Sequence, residues 1–249
     1  MPSNIDPCLF MKNNMICVIY VDDTIFAGPS QKDIDTEVKM LGIKHKSEDR
    51  LFKFRDEGEI STFLGIKIDQ QNNDEFYLSQ PGLIAKVLSA VCMTECNPNS
   101  TPVALEPFGL DLEGDPMNES WEFALIVGML MYLANNTRPD IAYEVHVCAR
   151  YTHKLKKSYA TAVKHILRYL QGTKLKRMLI KPNNSNELNC FLDSDFSGNY
   201  SVYPDQDPTS TKSRTGYVSL YQGCPILWVS KIQTQCALST MESLYLALS

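Results

Sequence analysis

The sequence predicts an α+β chain, in which strands pair with their neighbours along the chain and helices follow in blocks. Three observations carry this. Two apolar, β-branched runs meet at two aspartates in "MICVIYVDDTIFAG" (15–28), apolar residues recur at helical spacing through 123–170, and strand–turn–strand patterning returns in the last quarter.

Ile16 to Tyr20 and Thr24 to Ala27 read as two strands meeting at a tight turn, with Asp22 and Asp23 at the tip of the hairpin. Aspartate suits a turn because its side chain bonds the local backbone. Adjacent carboxylates also repel, and a divalent cation set between them and a phosphate ligand relieves that repulsion. Spacing leaves both readings open. Ser30 then caps a helix with Asp33 in its first turn and Ile34, Val38 and Leu41 at helical spacing, ending near Gly42 to His45. "FLGIKIDQ" and "EFYLSQ" are two short strands joined through "QNND", and "PGLIAKVLSAVCM" is a helix opening near Pro81.

From Asn97 to Glu122 there are four prolines, six acids and no Lys or Arg, a composition that reads as a linker. Helices follow at about Phe123 to Asn135 and Pro139 to Tyr151. A third, after Ser158, sets Tyr159, Val163, Ile166, Leu167 and Leu170 on one face and Lys157, Lys164 and Arg168 on another. "ELNCFLD" is a strand that delivers Asp193 at its end. "GYVSLY", the Gln222-Gly223 turn and "PILWVSK" form a hairpin, and Ser239 with Glu242 makes a capping box for a helix carrying Leu244, Tyr245 and Leu248.

With 44% hydrophobic and 21% charged residues, the 249-residue chain has the composition of a globular protein. No apolar run reaches the roughly 18 residues a membrane span needs, and "MPSNIDPCLF" lacks the basic flank and apolar core of a signal peptide. An intracellular setting, cytoplasmic or nuclear, is expected. The eight cysteines show no zinc-type pairing and read as reduced and structural. The net charge of -5 hides an asymmetry: Arg150 to Lys181 holds ten Lys/Arg and no acid, against 14 basic and 29 acidic residues elsewhere. Clustered cations, rather than average charge, make phosphate contacts, so the segment is a candidate surface for a polyanion; the other reading is a solvated face.

"YVDD" at Tyr20 to Asp23 resembles the active-site hairpin of reverse transcriptases. "FLGIKID" with "YLSQPGLIAKVLSAVCM", "VGMLMYLANNTRPDIAYEV", "HILRYLQGTK", and "LDSDFSG" with "SRTGYV", "WVSKIQ" and "ALSTMESLYLALS" resemble successive blocks of a copia-type retrotransposon polyprotein. Five blocks in order cover nearly the whole chain. The resemblance implies a partial palm and thumb over 1–96, an acidic linker over 97–122, a helical basic connection over 123–183, and a partial ribonuclease H-like mixed sheet with helices over 184–249. It implies RNA-directed DNA synthesis coupled to ribonuclease H, with Mg2+ or Mn2+ as cofactor. The implied partners are RNA, DNA, RNA–DNA hybrid and the other polyprotein segments.

Carried over by that resemblance, Asp22 and Asp23 are palm metal ligands. Asp193, with Asp195 as its alternative, and Glu242 are ribonuclease H ligands, and Lys157, Lys164 and Arg168 contact nucleic acid. The usual second Glu of the "TEAEY"-like block is Leu244 here. The first palm aspartate and the fingers are expected before Met1, and the remaining nuclease acids after Ser249. An isolated chain with part of each carboxylate set is expected to be inactive.

Overall fold

The computed structural model describes residues 3–44, 55, 57–72, 74–103, 109–153, 155–198 and 207–248. Its contacts divide the chain into two units, Met1–Phe63 and Leu64–Ser249. The sequence places its boundaries elsewhere, after 96, 122 and 183.

In the first unit β1 (Leu9–Lys12), β2 (Met15–Tyr20) and β3 (Asp23–Ala27) form an antiparallel meander, followed by α1 (Gln31–Lys44) and the two-residue β4 (Thr62–Phe63). β1 is not among the strands expected from the sequence. Its signal is Asn13-Asn14, a two-residue loop with φ of 50° and 61°, the left-handed pair that asparagine tolerates and a tight hairpin requires. Ser30 caps α1 as expected, its Oγ accepting the Asp33 N–H at 3.3 Å. Gly28 lets β2 and α1 approach each other, since a Cβ there would stand 2.9 Å from Met15 Cγ and 3.3 Å from Ile34 Cγ1. Lys12 Nζ joins β1 to α1 through Glu37 at 2.8 Å.

The second unit has a helical core between two sets of strands. β5 (Ile66–Asn72) and β6 (Glu75–Ser79) form the expected hairpin, and β7 (Met178–Ile180) joins β6 antiparallel. β7 is a short apolar run inside the basic stretch, too short to carry a periodic signal. The helices are α2 (Pro81–Ala90), α3 (Phe123–Asn136), α4 (Ala142–Ala149) and α5 (Lys157–Gly172). A 3-10 turn, Pro139–Ile141, stands where the sequence continues one helix from Pro139. Ile84, Val87, Leu130, Leu133, Val145, Ile166, Leu167 and Leu170 are buried together in one cluster. The predicted apolar face of α5 is its core face, and Tyr159 stacks on Tyr151 with ring centroids 4.5 Å apart.

The last sheet holds β8 (Leu188–Asp195), β9 (Arg214–Tyr221) and β10 (Cys224–Ile232) in the order β10-β9-β8, followed by α6 (Thr240–Leu248). The expectation of a mixed sheet is corrected: both of its ladders are antiparallel. A parallel neighbour needs a crossover between two strands of the sheet, and among the described residues each strand pairs antiparallel with the next in the chain. The described part of 97–122 is irregular, yet it is fastened to α5: Tyr159 Oη accepts the Asp111 N–H at 2.8 Å, Lys156 Nζ donates to the Gly114 carbonyl at 2.7 Å, and Trp121 is buried.

Two carboxylates of this unit carry opposite pH signatures. Burial raises Glu144 to about 7, with Arg214 opposing only in part. Burial would also raise Asp140, but hydrogen bonds from Arg138 and Tyr169 and the charges of Arg138 and Lys176 hold it down at about 2. Glu144 binds a proton more tightly folded than unfolded, so its contribution is complete below about 4.5 and is lost as pH rises toward 7. Asp140 contributes above about 3.8, and that contribution is lost as pH falls toward 2. Thermal melts from pH 4.5 to 8 should show a declining limb that Glu144→Gln flattens. An unchanged limb in that variant would assign the decline to other groups.

Candidate functional site

Tyr20 pairs with Asp23 across the β2–β3 hairpin, so its loop is Val21-Asp22 alone. Val21 holds φ at 53°, a conformation a β-branched residue adopts at a cost of order 1–3 kcal/mol. Asp22 therefore stands in the loop and Asp23 opens β3, both exposed and neither with a hydrogen-bond partner for its carboxylate among the described residues. Exposed, unengaged carboxylate oxygens suit a hard divalent cation such as Mg2+ or Mn2+. Two carboxylates are only part of such a cation's six or more ligands. Among the described residues, no group of three or more His, Cys, Asp and Glu is arranged to hold a metal.

In the last sheet, β8 pairs with β9 in the rows Phe191–Val218, Asp193–Gly216 and Asp195–Arg214. Alternation along a strand puts Phe191, Asp193 and Asp195 on one face and Leu192 and Ser194 on the other. The first face looks toward α3 and α4, because Trp228, across from Val218, donates its indole N–H to the Ala134 carbonyl at 2.7 Å. α6 packs on the second face: Gln233 Nε2, in the link between β10 and α6, donates to Thr215 Oγ1 at 3.0 Å and to the Ser243 carbonyl at 2.8 Å. Asp193 and Glu242 are thus not brought onto one face of the sheet. Glu242 fills the capping role, accepting the Leu238 N–H at 2.7 Å while its own N–H meets Ser239 Oγ at 3.1 Å.

The basic segment is largely engaged within the protein. Arg150 pairs with Asp207, Lys164 with Glu119, Lys176 with Asp140, Arg177 with Asp69 and Lys181 with Glu75, and Lys156 is held by carbonyls. Lys157, Arg168 and Lys174 are exposed and have no ion-pair partner among the described residues; Lys154 lies outside them. Of the three cations singled out in the sequence, Lys157 and Arg168 are available and Lys164 is not. The acids that neutralise the stretch lie at 69, 75, 119, 140 and 207, far away in sequence and invisible to a linear charge count. Among the described residues no helix is long and apolar enough to cross a membrane.

The chain thus presents "YVDD" at the end of an antiparallel hairpin. Residues 4–105 match the family model described as reverse transcriptase (RNA-dependent DNA polymerase). Over 97% of its length the chain is 34% identical to the retrovirus-related Pol polyprotein from transposon TNT 1-94 of Nicotiana tabacum, of which it spans 18%. It is 30% identical to the Pol polyprotein from transposon RE1 of Arabidopsis thaliana, spanning 15% of it. It is also 31% identical to an uncharacterised mitochondrial protein of Arabidopsis thaliana, and there it covers 90% of the relative. No solved structure matches. The chain belongs to the copia-type retrotransposon reverse-transcriptase family, and spans less than a fifth of the transposon polyproteins it matches.

Proposed function

We propose that this chain carries the catalytic hairpin of an RNA-directed DNA polymerase and a ribonuclease H-like continuation, and that alone it performs neither reaction. The observation that carries the reading is the placement of Asp22 and Asp23, exposed and unengaged at the tip of a three-stranded sheet. Asp22 and Asp23 would contribute to holding Mg2+ or Mn2+, which when bound would supply activation of the primer hydroxyl and charge neutralisation at the leaving pyrophosphate. The chain's own part is to hold two repelling carboxylates on a rigid hairpin where that charge is needed, which is electrostatic preorganisation. Asp193 or Asp195 is the ribonuclease H ligand in this reading. Glu242 stands apart from it, as the cap of α6 on the side of the other face of the sheet.

Residues that act as one unit are strongly non-additive, so a partial carboxylate set retains little of the rate. Primer extension and RNA–DNA hybrid cleavage by the 249-residue chain, with Mg2+ and with Mn2+, should both match the no-protein blank. Asp22→Ala and Asp193→Ala serve as controls. Activity abolished by either substitution would overturn the proposal of inactivity.

A second reading, a non-catalytic binder of nucleic acid, rests on the basic segment. With three unpaired cations among the described residues, its affinity for duplex should be weak, with little sequence preference. Log affinity should fall with log salt by about -0.9 per phosphate, so these three together contribute a slope of about -3. Salt-insensitive binding, or binding unchanged in a Lys157→Ala/Arg168→Ala variant, would place the contact elsewhere.

A further inference from the structure

A surface helix buries its large apolar side chains and shows its small and polar ones. α6 does the reverse. Among its nine residues the buried one is Ser243, whose carbonyl is bonded to Gln233 beside the sheet. Leu238, Met241, Leu244, Tyr245 and Leu248 are exposed, from 42% for Leu244 to 88% for Leu238. Positions 241, 244, 245 and 248 are spaced i, i+3, i+4 and i+7, so they share one side of the helix as a continuous apolar stripe. Leu238, just before the Ser239 cap, stands at its head. The one charge within α6, Glu242, is turned to the cap, where its carboxylate accepts the Leu238 N–H.

Together these five residues expose an area of the order of 700 Å², near the roughly 800 Å² that each partner gives to a standard protein interface. The largest apolar patch on a typical monomer is about 300–600 Å². The stripe therefore has the size of an interface, and its composition calls for another apolar helix.

The helix that matches it is α6 itself. With two copies set antiparallel about a two-fold axis between residues 244 and 245, Met241 falls opposite Leu248 of the second copy and Leu244 opposite its Tyr245. The axis repeats both contacts in reverse, as an isologous interface requires. One register thus gives every large side chain of the stripe an apolar partner. Glu242 falls opposite Ala247, whereas a parallel pair would set two Glu242 carboxylates side by side, a like-charge penalty against that arrangement. We propose that the chain forms a two-fold dimer in which α6 packs antiparallel on α6 of a second copy.

The test is sedimentation equilibrium of the 249-residue chain over a range of concentrations. The mass should approach twice the 28.2 kDa of one chain at the highest concentration and fall toward 28.2 kDa on dilution. Tyr245→Glu puts an unpaired charge at the centre of the stripe and should raise the dissociation constant about thirtyfold or more, the loss expected of a central aromatic anchor. Its far-UV circular dichroism should match the parent's, because the ring lies outside the core. Met241→Glu and Leu248→Lys each suit their own end of the helix dipole, and each should weaken the dimer alone. Mixed in equal amounts they should re-form it as a heterodimer, since the register sets position 241 against position 248. A chain that stays at 28.2 kDa, association into larger species, a dimer that survives Tyr245→Glu, or a mixture that fails to re-form dimer would overturn the proposal. The measurement needs neither metal nor nucleic acid, so its outcome is separable from that of the polymerase reading.

Discussion

Leu167→Ala should lower the stability of the second unit by about 2–5 kcal/mol, the range for emptying a fully packed aliphatic site. Leu167 is 0% exposed and sits on α5 within the cluster that also holds Leu130, Ile166 and Leu170. α5 buries Tyr159, Ala160, Val163, Ile166, Leu167 and Leu170, and the burial of that face contributes more to holding the helix in place than propensity does. Leu175→Ala is the matched control, since Leu175 is 83% exposed and its loss should change little. Both tryptophans, Trp121 and Trp228, lie in the second unit, so fluorescence-monitored urea unfolding reports on it directly. Equal midpoints for the two variants would contradict the placement of the core.

Arg138→Ala should cost a similar amount, about 3 kcal/mol, for a different reason. The Arg138 side chain is 3% exposed and grips Asp140 through two bonds, Nε to Oδ1 and Nη2 to Oδ2, each 2.9 Å. Its other N–H groups meet the Thr173 carbonyl at 3.2 Å and Thr173 Oγ1 at 2.7 Å. The single side chain thereby ties the turn after α3 to the end of α5. Its removal leaves Asp140 with Tyr169 and Lys176 as remaining partners and the Thr173 carbonyl without its guanidinium donor. The acid limb of stability assigned to Asp140 should shrink in the same variant, because Arg138 is a main cause of the depressed carboxyl. Loss of stability with an unchanged acid limb would show that packing on Tyr169, 5.5 Å away, matters more than the ion pair.

Much of this fold is legible in the chain because its signals are local. The alternation of 16–20, the cap at Ser30, the 3.6-residue period of 159–170 and the Ser239 capping box all lie within one element and appear where periodicity puts them. β1 and β7 escape notice because they are short runs whose pairing partners supply most of their definition. The hairpin loop comes out one residue tighter than the aspartate pair suggests, since register across β2 and β3 assigns Asp23 to the strand. For the candidate sites the division is sharper. Asp22 and Asp23 share one turn and can be read together. Asp193 and Glu242 are separated by two strands, and their faces depend on which side of the sheet α6 takes. The basic stretch loses much of its free charge to acids that only folding brings near it.

The most direct measurement is Mn2+-induced paramagnetic broadening of the amide resonances of the 249-residue chain. If Asp22 and Asp23 are the metal-binding part of a polymerase hairpin, substoichiometric Mn2+ should broaden Tyr20 to Thr24 first, Mg2+ in excess should reverse it, and Asp22→Asn should remove it. Broadening that spares the hairpin, or that is unchanged in Asp22→Asn, would contradict the account and leave the two carboxylates as turn residues.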